Sequence, residues 1–471
     1  MQQNNRNTII KNGVLFTLAP FLPKIINVFL LPIMSRYLTD VDFGISGTIS
    51  AYTGAISAFA TLGLQVVLQN SFFKTPLEYK ETWRQIYGFL KLWMIVYAII
   101  QATILFFFIP EEASDNKWWI ILLSQFSTVF FGPTGTIGSA YYIYKKKSVP
   151  VVWRSFTASL LTILVDFVLI VYLRWGYLGW YVGSFIGQFF TNASYWFVVN
   201  KKLDLRPNYR FKWPVIKHAL SVSLPTVPHY YTHYLLEGSG RMVMDQYGIH
   251  QSQIGKISIS QQIGDMFSHA ITGCNNAISP FQMEALRSKN SKRINLFGTL
   301  FAVVVFSAAF MLALWSKEIF RFLLSNDSLQ SAYPYFILYI MAFCYRPMYL
   351  TVSYYYFYYE QTKQLLLISF LSGCFSLLFY IALTPFLGVW AFLIGHYLAS
   401  LYYGYSGYFY KGYRSNETER LPVFYFLISQ LALTGLAYLL VDFLWIKLSI
   451  TVLICFATFF VFKRYRYAFE K

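Results

Sequence analysis

Long apolar runs separated by short polar connections dominate the chain from residue 14 to residue 462. A helix that crosses a bilayer needs about 20 mostly apolar residues, and fourteen runs come close to that length. The pattern predicts an all-α polytopic membrane protein with fourteen transmembrane helices, or twelve if the last two runs do not cross. The predicted spans are 14–35, 43–67, 86–109, 119–142, 152–173, 178–199, 215–236, 255–280, 295–315, 335–358, 365–387, 389–410, 422–441 and 446–462.

Composition excludes the soluble alternatives. Charged residues make up 12% of the chain and hydrophobic residues 56%, whereas soluble proteins carry about 25% charged residues. Disorder is excluded as well, because disordered chains have low hydrophobicity. The four cysteines are scattered singly through apolar runs, so they indicate neither a disulfide framework nor a zinc site.

The net charge of +18 indicates the orientation of the chain in the membrane more than it indicates an acidic binding partner. Cytoplasmic loops of membrane proteins collect Lys and Arg. With the N-terminus inside, the inner segments hold 27 of the 38 basic residues and the outer segments hold 8. This distribution predicts cytoplasmic termini and an even number of spans, and it gives no indication of nucleic-acid binding. The first apolar run contains Lys24 and is too long for a signal peptide, so it is interpreted as span 1.

A weak internal repeat predicts two lobes. Pro23 is followed by a polar turn and a helix that starts at Gly44, and Pro225 is followed in the same way by Gly255. The two copies have the same orientation, which is the parallel-repeat architecture of some transporters. Chance similarity between apolar segments is the alternative. The predicted domains are an N-lobe of spans 1–6 (1–210), a C-lobe of spans 7–12 (211–415), and spans 13–14 with a tail (416–471).

Ionisable residues inside the spans are the candidate functional residues, because a charge at mid-bilayer costs about 2.5–3.5 kcal/mol even on permissive scales. Lys24 lies in span 1 beside two prolines that break the helix and shares a face with Asn27. Lys24 is predicted to be a cation for an anionic substrate, or else a structural partner of Asp166 or Asp265. Asp166 and Asp265 are also candidates for ion coupling.

Span 7 carries a titratable stripe. His229, His233 and Glu237 follow at intervals of four residues and therefore share one helix face. Two His and a carboxylate resemble part of a zinc site, but no further ligands accompany them, so a polar cavity face is predicted and no metal. Span 8 has a matching polar stripe of Ser258, Gln261, Asp265, His269, Thr272 and Asn276.

Arg346 lies deep in span 10, about twelve residues from either end. A guanidinium group pairs bidentately with phosphate, so substrate contact is predicted, with a structural ion pair as the alternative. His396 in span 12 is interpreted as a core residue. Together these residues predict a net positive cavity between the lobes, suited to a large anionic and hydroxyl-rich substrate.

The segment 30–44 contains the string Arg36-Tyr37-Leu38-Thr39 followed by Asp42-Phe43-Gly44. It closely resembles the first external turn of the Wzx-type polysaccharide flippases, which belong to the multidrug/oligosaccharidyl-lipid/polysaccharide exporter superfamily. Segment 223–229 and the region 241–255 resemble span 7 and the following turn of that family. The resemblance implies alternating access between two six-helix lobes in a bacterial inner membrane. It also implies transfer of an undecaprenyl-diphosphate-linked oligosaccharide from the inner to the outer leaflet.

The resemblance also bears on individual residues. Lys24 and Arg346 match the cavity cations of the family, and the pyrophosphate is expected on them, assisted by His229 and His233 when protonated. The sugars are expected on the polar faces of spans 7 and 8. Gly240 precedes Arg241 where the family usually has an Asp, which leaves Arg241 without an assigned role. The extra pair of spans resembles the lipid II flippase branch.

The expected function is a non-enzymatic flippase for surface polysaccharide such as O-antigen, lipopolysaccharide or capsule. Its partners would be the lipid-linked oligosaccharide, membrane lipid, and the polymerase and chain-length machinery. No cofactor is expected, and coupling to H⁺ or Na⁺ stays open.

The sequence leaves other functions as alternatives. A multidrug/cation antiporter would have a cavity of carboxylates, and a polysaccharide polymerase or glycosyltransferase would have a long external loop with paired carboxylates. A scaffolding protein would not bury Lys24 and Arg346. The predicted substrate-binding residues are Lys24, Asn27, His229, His233, Asp265 and Arg346.

Overall fold

The computed structural model describes residues 30–145, 147, 149–410, 413 and 421–465. Within these ranges the regular elements are all helices, which confirms the predicted all-α class. Seven described helices are long and apolar enough to cross a membrane, and a shorter apolar helix spans Leu444–Phe460. The protein is therefore a multi-pass membrane protein. The number of fourteen crossings stays a prediction.

Two compact units divide the chain, Met1–Tyr231 and Thr232–Lys471. The division falls inside predicted span 7, in a segment where helices are short and broken. The predicted domains 1–210, 211–415 and 416–471 stay predictions, as does the pseudo-symmetry between two lobes.

The first unit contains eight described α-helices, with π turns at Phe167–Tyr172 and Val198–Lys202. Together they cover predicted spans 2–6 and the first part of span 7. The helices are α1 (Asp40–Ser57), α2 (Gln65–Lys74), α3 (Tyr79–Phe108), α4 (Lys117–Tyr144), α5 (Val149–Asp166), α6 (Tyr177–Ala193), α7 (Trp213–Ser223) and α8 (Val227–His233), the last of which runs into the second unit.

The second unit contains the longest described helix and the broken helix of predicted span 10. Its described helices are α9 (Ser239–Gln246), α10 (Gln251–Arg287), α11 (Ser291–Leu314), α12 (Ser316–Leu323), α13 (Asp327–Gln330), α14 (Tyr333–Ala342), α15 (Tyr345–Tyr358), α16 (Thr362–Leu387), α17 (Val389–Tyr405), α18 (Val423–Leu440) and α19 (Leu444–Tyr465).

The start of α1 shows what the Asp-Phe-Gly string does physically. Thr39 and Asp42 form a reciprocal capping box, in which each side chain accepts a hydrogen bond from the backbone N–H of the other. The second carboxylate oxygen of Asp42 accepts from the backbone N–H of Tyr177 at 2.9 Å. Gly176 precedes it with φ +53°, and a Cβ there would lie 2.7 Å from Asp42 Oδ1. One carboxylate thus satisfies free donors at the beginnings of both α1 and α6.

Close packing of α5 on α6 depends on three buried glycines at intervals of four residues, Gly179, Gly183 and Gly187. A Cβ on Gly183 would lie 1.8 Å from Asp166 Oδ1, and one on Gly187 would lie 2.0 Å from Thr162 Oγ1. Small residues at this spacing let helix backbones approach closely in membranes. The same approach places the side chain of Asp166 directly against the backbone of α6.

Candidate functional site

The segment that joins α8 to α9 is a π turn, Tyr234–Gly238. Upstream, Pro225 and Pro228 each lack the backbone N–H that a regular helix uses, and a 3₁₀ turn at Leu224–Thr226 separates α7 from α8. Irregular backbone at membrane depth is tolerated where other groups satisfy its polar atoms. The π turn is therefore the place to look for compensating side chains.

Side chains from three other helices and from the start of α9 supply that compensation. The carbonyl oxygens of Leu235, Leu236 and Glu237 all accept hydrogen bonds from side chains. The partners are Ser239 (2.6 Å) and Ser376 (2.8 Å) on Leu235, Tyr380 (2.6 Å) and the Nδ1 atom of His396 (3.0 Å) on Leu236, and Gln261 (3.0 Å) on Glu237. These bonds fix the position from which the Glu237 side chain projects.

Glu237 forms two ion pairs. Its Oε1 lies 3.4 Å from Nη2 of Arg346, and its Oε2 lies 3.4 Å from Nε2 of His233. The side chains of Glu237 and Arg346 are 13% and 17% exposed, whereas that of His233 is 70% exposed. The cation of predicted span 10 is therefore held by a carboxylate from predicted span 7, with an accessible histidine on the other side.

The ion pair with Glu237 does not use all the hydrogen-bond donors of Arg346. Its Nε atom is buried without a hydrogen bond, while its guanidinium carbon lies 5.1 Å from the ring centre of Phe343 and 5.9 Å from that of Tyr345. The interruption between α14 and α15 places Arg346 at the second residue of α15. A guanidinium with an unused donor in a shielded position is chemically suited to a phosphate oxygen.

A second carboxylate lies close to the pair. Asp265 on α10 accepts a hydrogen bond from the Tyr339 hydroxyl at 2.9 Å and is within electrostatic range of Glu237. The Tyr339 ring stacks on His396, with ring centres 5.1 Å apart. We call Glu237, Arg346, His233, Asp265, Tyr339 and His396 the Glu237 cluster.

Three of the predicted substrate-binding residues, His233, Asp265 and Arg346, thus lie in one cluster. Lys24, Asn27 and the side chain of His229 lie outside the described residues. For those three residues the sequence-based expectation stays a prediction.

Asp166, predicted as an ion-coupling residue, lies in the first unit. Its side chain is buried, and Oδ1 has no hydrogen bond. Among the described residues it makes no salt bridge. No group of three or more His, Cys, Asp and Glu in the described part of the chain has the arrangement of a metal site.

Sequence reasoning missed the partners that organise the cluster. Glu237 was recognised as part of a helical stripe but not as the counter-ion of Arg346, which is 109 residues away. His396 is in the core as predicted, yet its Nδ1 atom is paired with the Leu236 carbonyl of the π turn. Tyr339 was placed on the same side of span 10 as Arg346 but not as a partner of Asp265, and Tyr380 had no distinguishing signal among 39 tyrosines.

Comparison with known proteins gives a family and a fold. Residues 33–333 match the family described as polysaccharide biosynthesis protein. The chain is similar to a structure of the lipid II flippase MurJ in an inward closed conformation, with a TM-score of 0.73, 16% identity, and coverage of 97% of this chain and 100% of that one. It is also similar to an inward-facing multidrug resistance MATE family transporter of the MOP superfamily, with a TM-score of 0.59, 11% identity, and coverage of 88% and 99%. No curated protein sequence matches the chain.

Proposed function

The chain belongs to the polysaccharide biosynthesis protein family, and from that membership we propose that it is a flippase for a lipid-linked oligosaccharide. The fold shared with MurJ and a MATE transporter supports this proposal. The relation that the sequence suggested is thereby confirmed at the level of family and fold. In our proposal the substrate is an oligosaccharide on undecaprenyl diphosphate, which moves from the inner to the outer leaflet for surface polysaccharide synthesis.

The observation that carries the proposal is the state of Arg346. A buried cation in a membrane protein is costly and is usually functional. Here it has a carboxylate partner at 3.4 Å and an unused Nε donor, so a diphosphate could bind without the loss of a fully satisfied ion pair. His233 is exposed beside it and adds a second cation when protonated.

Other parts of the proposal rest on the sequence. Lys24, Asn27 and His229 are proposed to join the anion site, and Asp265 to contact substrate. We propose that the two lobes move in alternation around a bound substrate. Coupling to H⁺ or Na⁺ is proposed at Asp166 or Asp265. Asp166 suits this role because its carboxylate has an unpaired oxygen.

We further propose a location in a bacterial inner membrane with cytoplasmic termini, and association with a polysaccharide polymerase and chain-length machinery. A multidrug/cation antiporter is the main rival. It requires negative charge for its substrates, and here the Glu237 carboxylate is neutralised by Arg346. Non-enzymatic action is part of the proposal, in contrast to a polymerase or glycosyltransferase.

The test is an export assay that separates substrate contact from structural pairing. Arg346→Ala alone leaves Glu237 uncompensated, so lost export could reflect unfolding. The double variant Arg346→Met/Glu237→Gln removes both charges and keeps comparable side-chain volumes. Surface polysaccharide, inner-leaflet lipid-linked oligosaccharide and protein level are measured in cells that depend on this chain.

We expect the double variant to accumulate normally and yet to export less than about one tenth of the normal polysaccharide, because loss of a charge-assisted phosphate contact costs about 1.5–3 kcal/mol. Arg321→Met is the matched control, since Arg321 lies on an exposed position of α12. Full export by the double variant at normal protein level would show that the pair is structural and that Arg346 does not bind substrate.

A further inference from the structure

Four helices of the first unit line an open cavity of about 420 Å³. It lies among α1, α3, α4 and α6, and the described residues that line it all belong to this unit. Small-molecule sites in proteins typically have volumes of about 300–1,000 Å³. The cavity is therefore large enough for a ligand and is separate from the residues of the Glu237 cluster.

Helix α1 presents a hydroxyl stripe to this cavity. Ser46, Ser50, Thr53 and Ser57 all line it, and their steps of four, three and four residues place them on one helix face. Thr53 bonds to the carbonyl oxygens of Ile49 and Ser50 in its own helix, so its hydroxyl keeps acceptor capacity toward the cavity. Four hydroxyls on one face of a membrane helix indicate a surface built for polar contact.

The three facing helices add further polar groups. Helices α4 and α6 each contribute two polar side chains four residues apart and α3 contributes one, so the polarity comes from four helices and not from α1 alone. The residues are Gln101 on α3, Ser124 and Thr128 on α4, and Ser184 and Gln188 on α6.

No Asp, Glu, Lys, Arg or His is among the described residues that line the cavity. This composition disfavours a phosphate, a metal ion or a charged drug, since each needs charged or metal-ligating groups. Hydroxyl and amide groups both donate and accept hydrogen bonds. The matching ligand is uncharged and rich in hydroxyl groups.

Aromatic side chains give the cavity a further feature that is suited to binding a carbohydrate. Trp180 lines the cavity and is held edge-to-face by Phe43, with ring centres 4.8 Å apart. The Tyr181 hydroxyl is buried beside Ser46 and has no hydrogen bond of normal geometry. An aromatic face with nearby polar groups suits a sugar ring, which has apolar C–H faces and a polar edge.

Two polar residues of predicted span 8, one of the spans on which the sugars were expected, already bond to other parts of the protein. Gln261 donates to the Glu237 carbonyl oxygen at 3.0 Å, and Asp265 accepts from Tyr339 at 2.9 Å. We infer that an uncharged sugar unit of the substrate binds instead in the hydroxyl cavity of the first unit. This inference rests on the proposed function for the identity of the ligand as part of a lipid-linked oligosaccharide.

The test uses the full-length protein in lipid nanodiscs and two probes. The first probe is the free oligosaccharide that mild acid releases from the lipid-linked pool of the source organism. The second is inorganic pyrophosphate. The cavity variant is Ser50→Ala/Thr128→Val, and the matched control is Ser139→Ala/Thr136→Val, in which both hydroxyls bond to carbonyl oxygens of α4 away from the cavity. Binding is measured by saturation-transfer NMR and titration calorimetry.

We expect oligosaccharide binding to weaken about thirtyfold in the cavity variant, because two hydrogen bonds are lost at about 1 kcal/mol each. The control should bind the oligosaccharide normally, and pyrophosphate binding should be the same in all three proteins. Equal oligosaccharide affinity in the cavity variant, or no binding to the unmodified protein, would refute the inference. A parallel loss of both probes would also refute it, since the substitutions would then act through the fold.

Failure of the proposed function has a different signature. Translocation of the intact lipid-linked oligosaccharide is followed separately in liposomes. If the unmodified protein binds free oligosaccharide in the cavity but does not translocate the lipid, the flippase proposal fails and the sugar site stands. If it translocates the lipid while the cavity variant binds free oligosaccharide normally, the sugar site fails and the flippase proposal stands.

Discussion

Each unit buries a carboxylate, and the two carboxylates have opposite surroundings. Glu237 in the second unit lies 3.4 Å from both Arg346 and His233. Asp166 in the first unit has a buried oxygen with no hydrogen bond, and within the described residues it forms no ion pair. The polar groups of the two proposed sites differ as well, since those of the Glu237 cluster are charged and those of the first unit's cavity are mostly hydroxyls. A carboxyl group that is paired with a cation supports the structure, whereas one without a described partner is available for another role.

The largest effect should come from breaking the paired carboxylate. Glu237→Gln leaves the shielded Arg346 cation without its counter-charge, and we expect a loss of about 3 kcal/mol in the free energy of unfolding. Asp166→Asn replaces a buried carboxyl group that has no described partner with an uncharged group of nearly the same size, and we expect no loss of stability, because no counter-charge is left unpaired. Both are measured by unfolding of the purified protein in detergent micelles.

The double variant Arg346→Met/Glu237→Gln controls for this result and should recover most of the lost stability, because no uncompensated charge remains. Equal destabilisation by Glu237→Gln and Asp166→Asn would contradict the contrast between the two units. Asp166 would then also have a structural partner.

The next effect concerns the close approach of α6 to Asp166. Gly183→Ala would place a methyl carbon 1.8 Å from Asp166 Oδ1 and 3.1 Å from the Thr162 carbonyl oxygen. Helix separation would relieve this overlap at a cost of about 1–3 kcal/mol. Gly132→Ala on α4 is the matched control, since its nearest neighbour would be an ordinary contact at 3.6 Å.

Thermal unfolding of both alanine variants measures this difference. If Gly183→Ala unfolds at the same temperature as Gly132→Ala, the carboxylate has space to move. Asp166 would then not be held against the backbone of α6.

The smallest effect should come from Tyr339→Phe. This substitution removes the 2.9 Å hydrogen bond to Asp265 but keeps the ring that stacks on His396. We expect a loss of about 1 kcal/mol, measured by denaturant unfolding. Tyr438→Phe, which removes a hydrogen bond to the Pro334 carbonyl oxygen, is the comparison. A loss above about 3 kcal/mol would show that Tyr339 supports the Glu237–Arg346 pair as well as Asp265.

The helices could be predicted from the sequence because lipid exposure acts on each segment separately. Predicted spans 3 and 9 correspond closely to α3 (Tyr79–Phe108) and α11 (Ser291–Leu314). Span 7 was predicted as a helix broken by proline, and the structure shows a 3₁₀ turn and a π turn there. Its prolines signalled the first interruption, and nothing local signalled the second.

The candidate site could be predicted only in part. The membrane cost of charge singled out Arg346, since that cost depends on the residue and its depth alone. Its pairing with Glu237 depends on contacts between helices far apart in sequence. The cavity of the first unit could also be predicted only in part. The stripe of hydroxyl residues from Ser46 to Ser57 is visible in the sequence, but only the fold brings it close to Gln101 and Thr128.

The π turn at Tyr234–Gly238 also sets an angular offset. A π turn holds one more residue than an α turn, and each residue advances an α-helix by about 100° around its axis. That single additional residue therefore sets the angular position of every residue of α9 around the helix axis. These residues include Arg241 and Gly240, which packs against Phe392. Deleting one residue from the turn would leave the composition of the segment almost unchanged and yet rotate α9 by more than a quarter of a revolution.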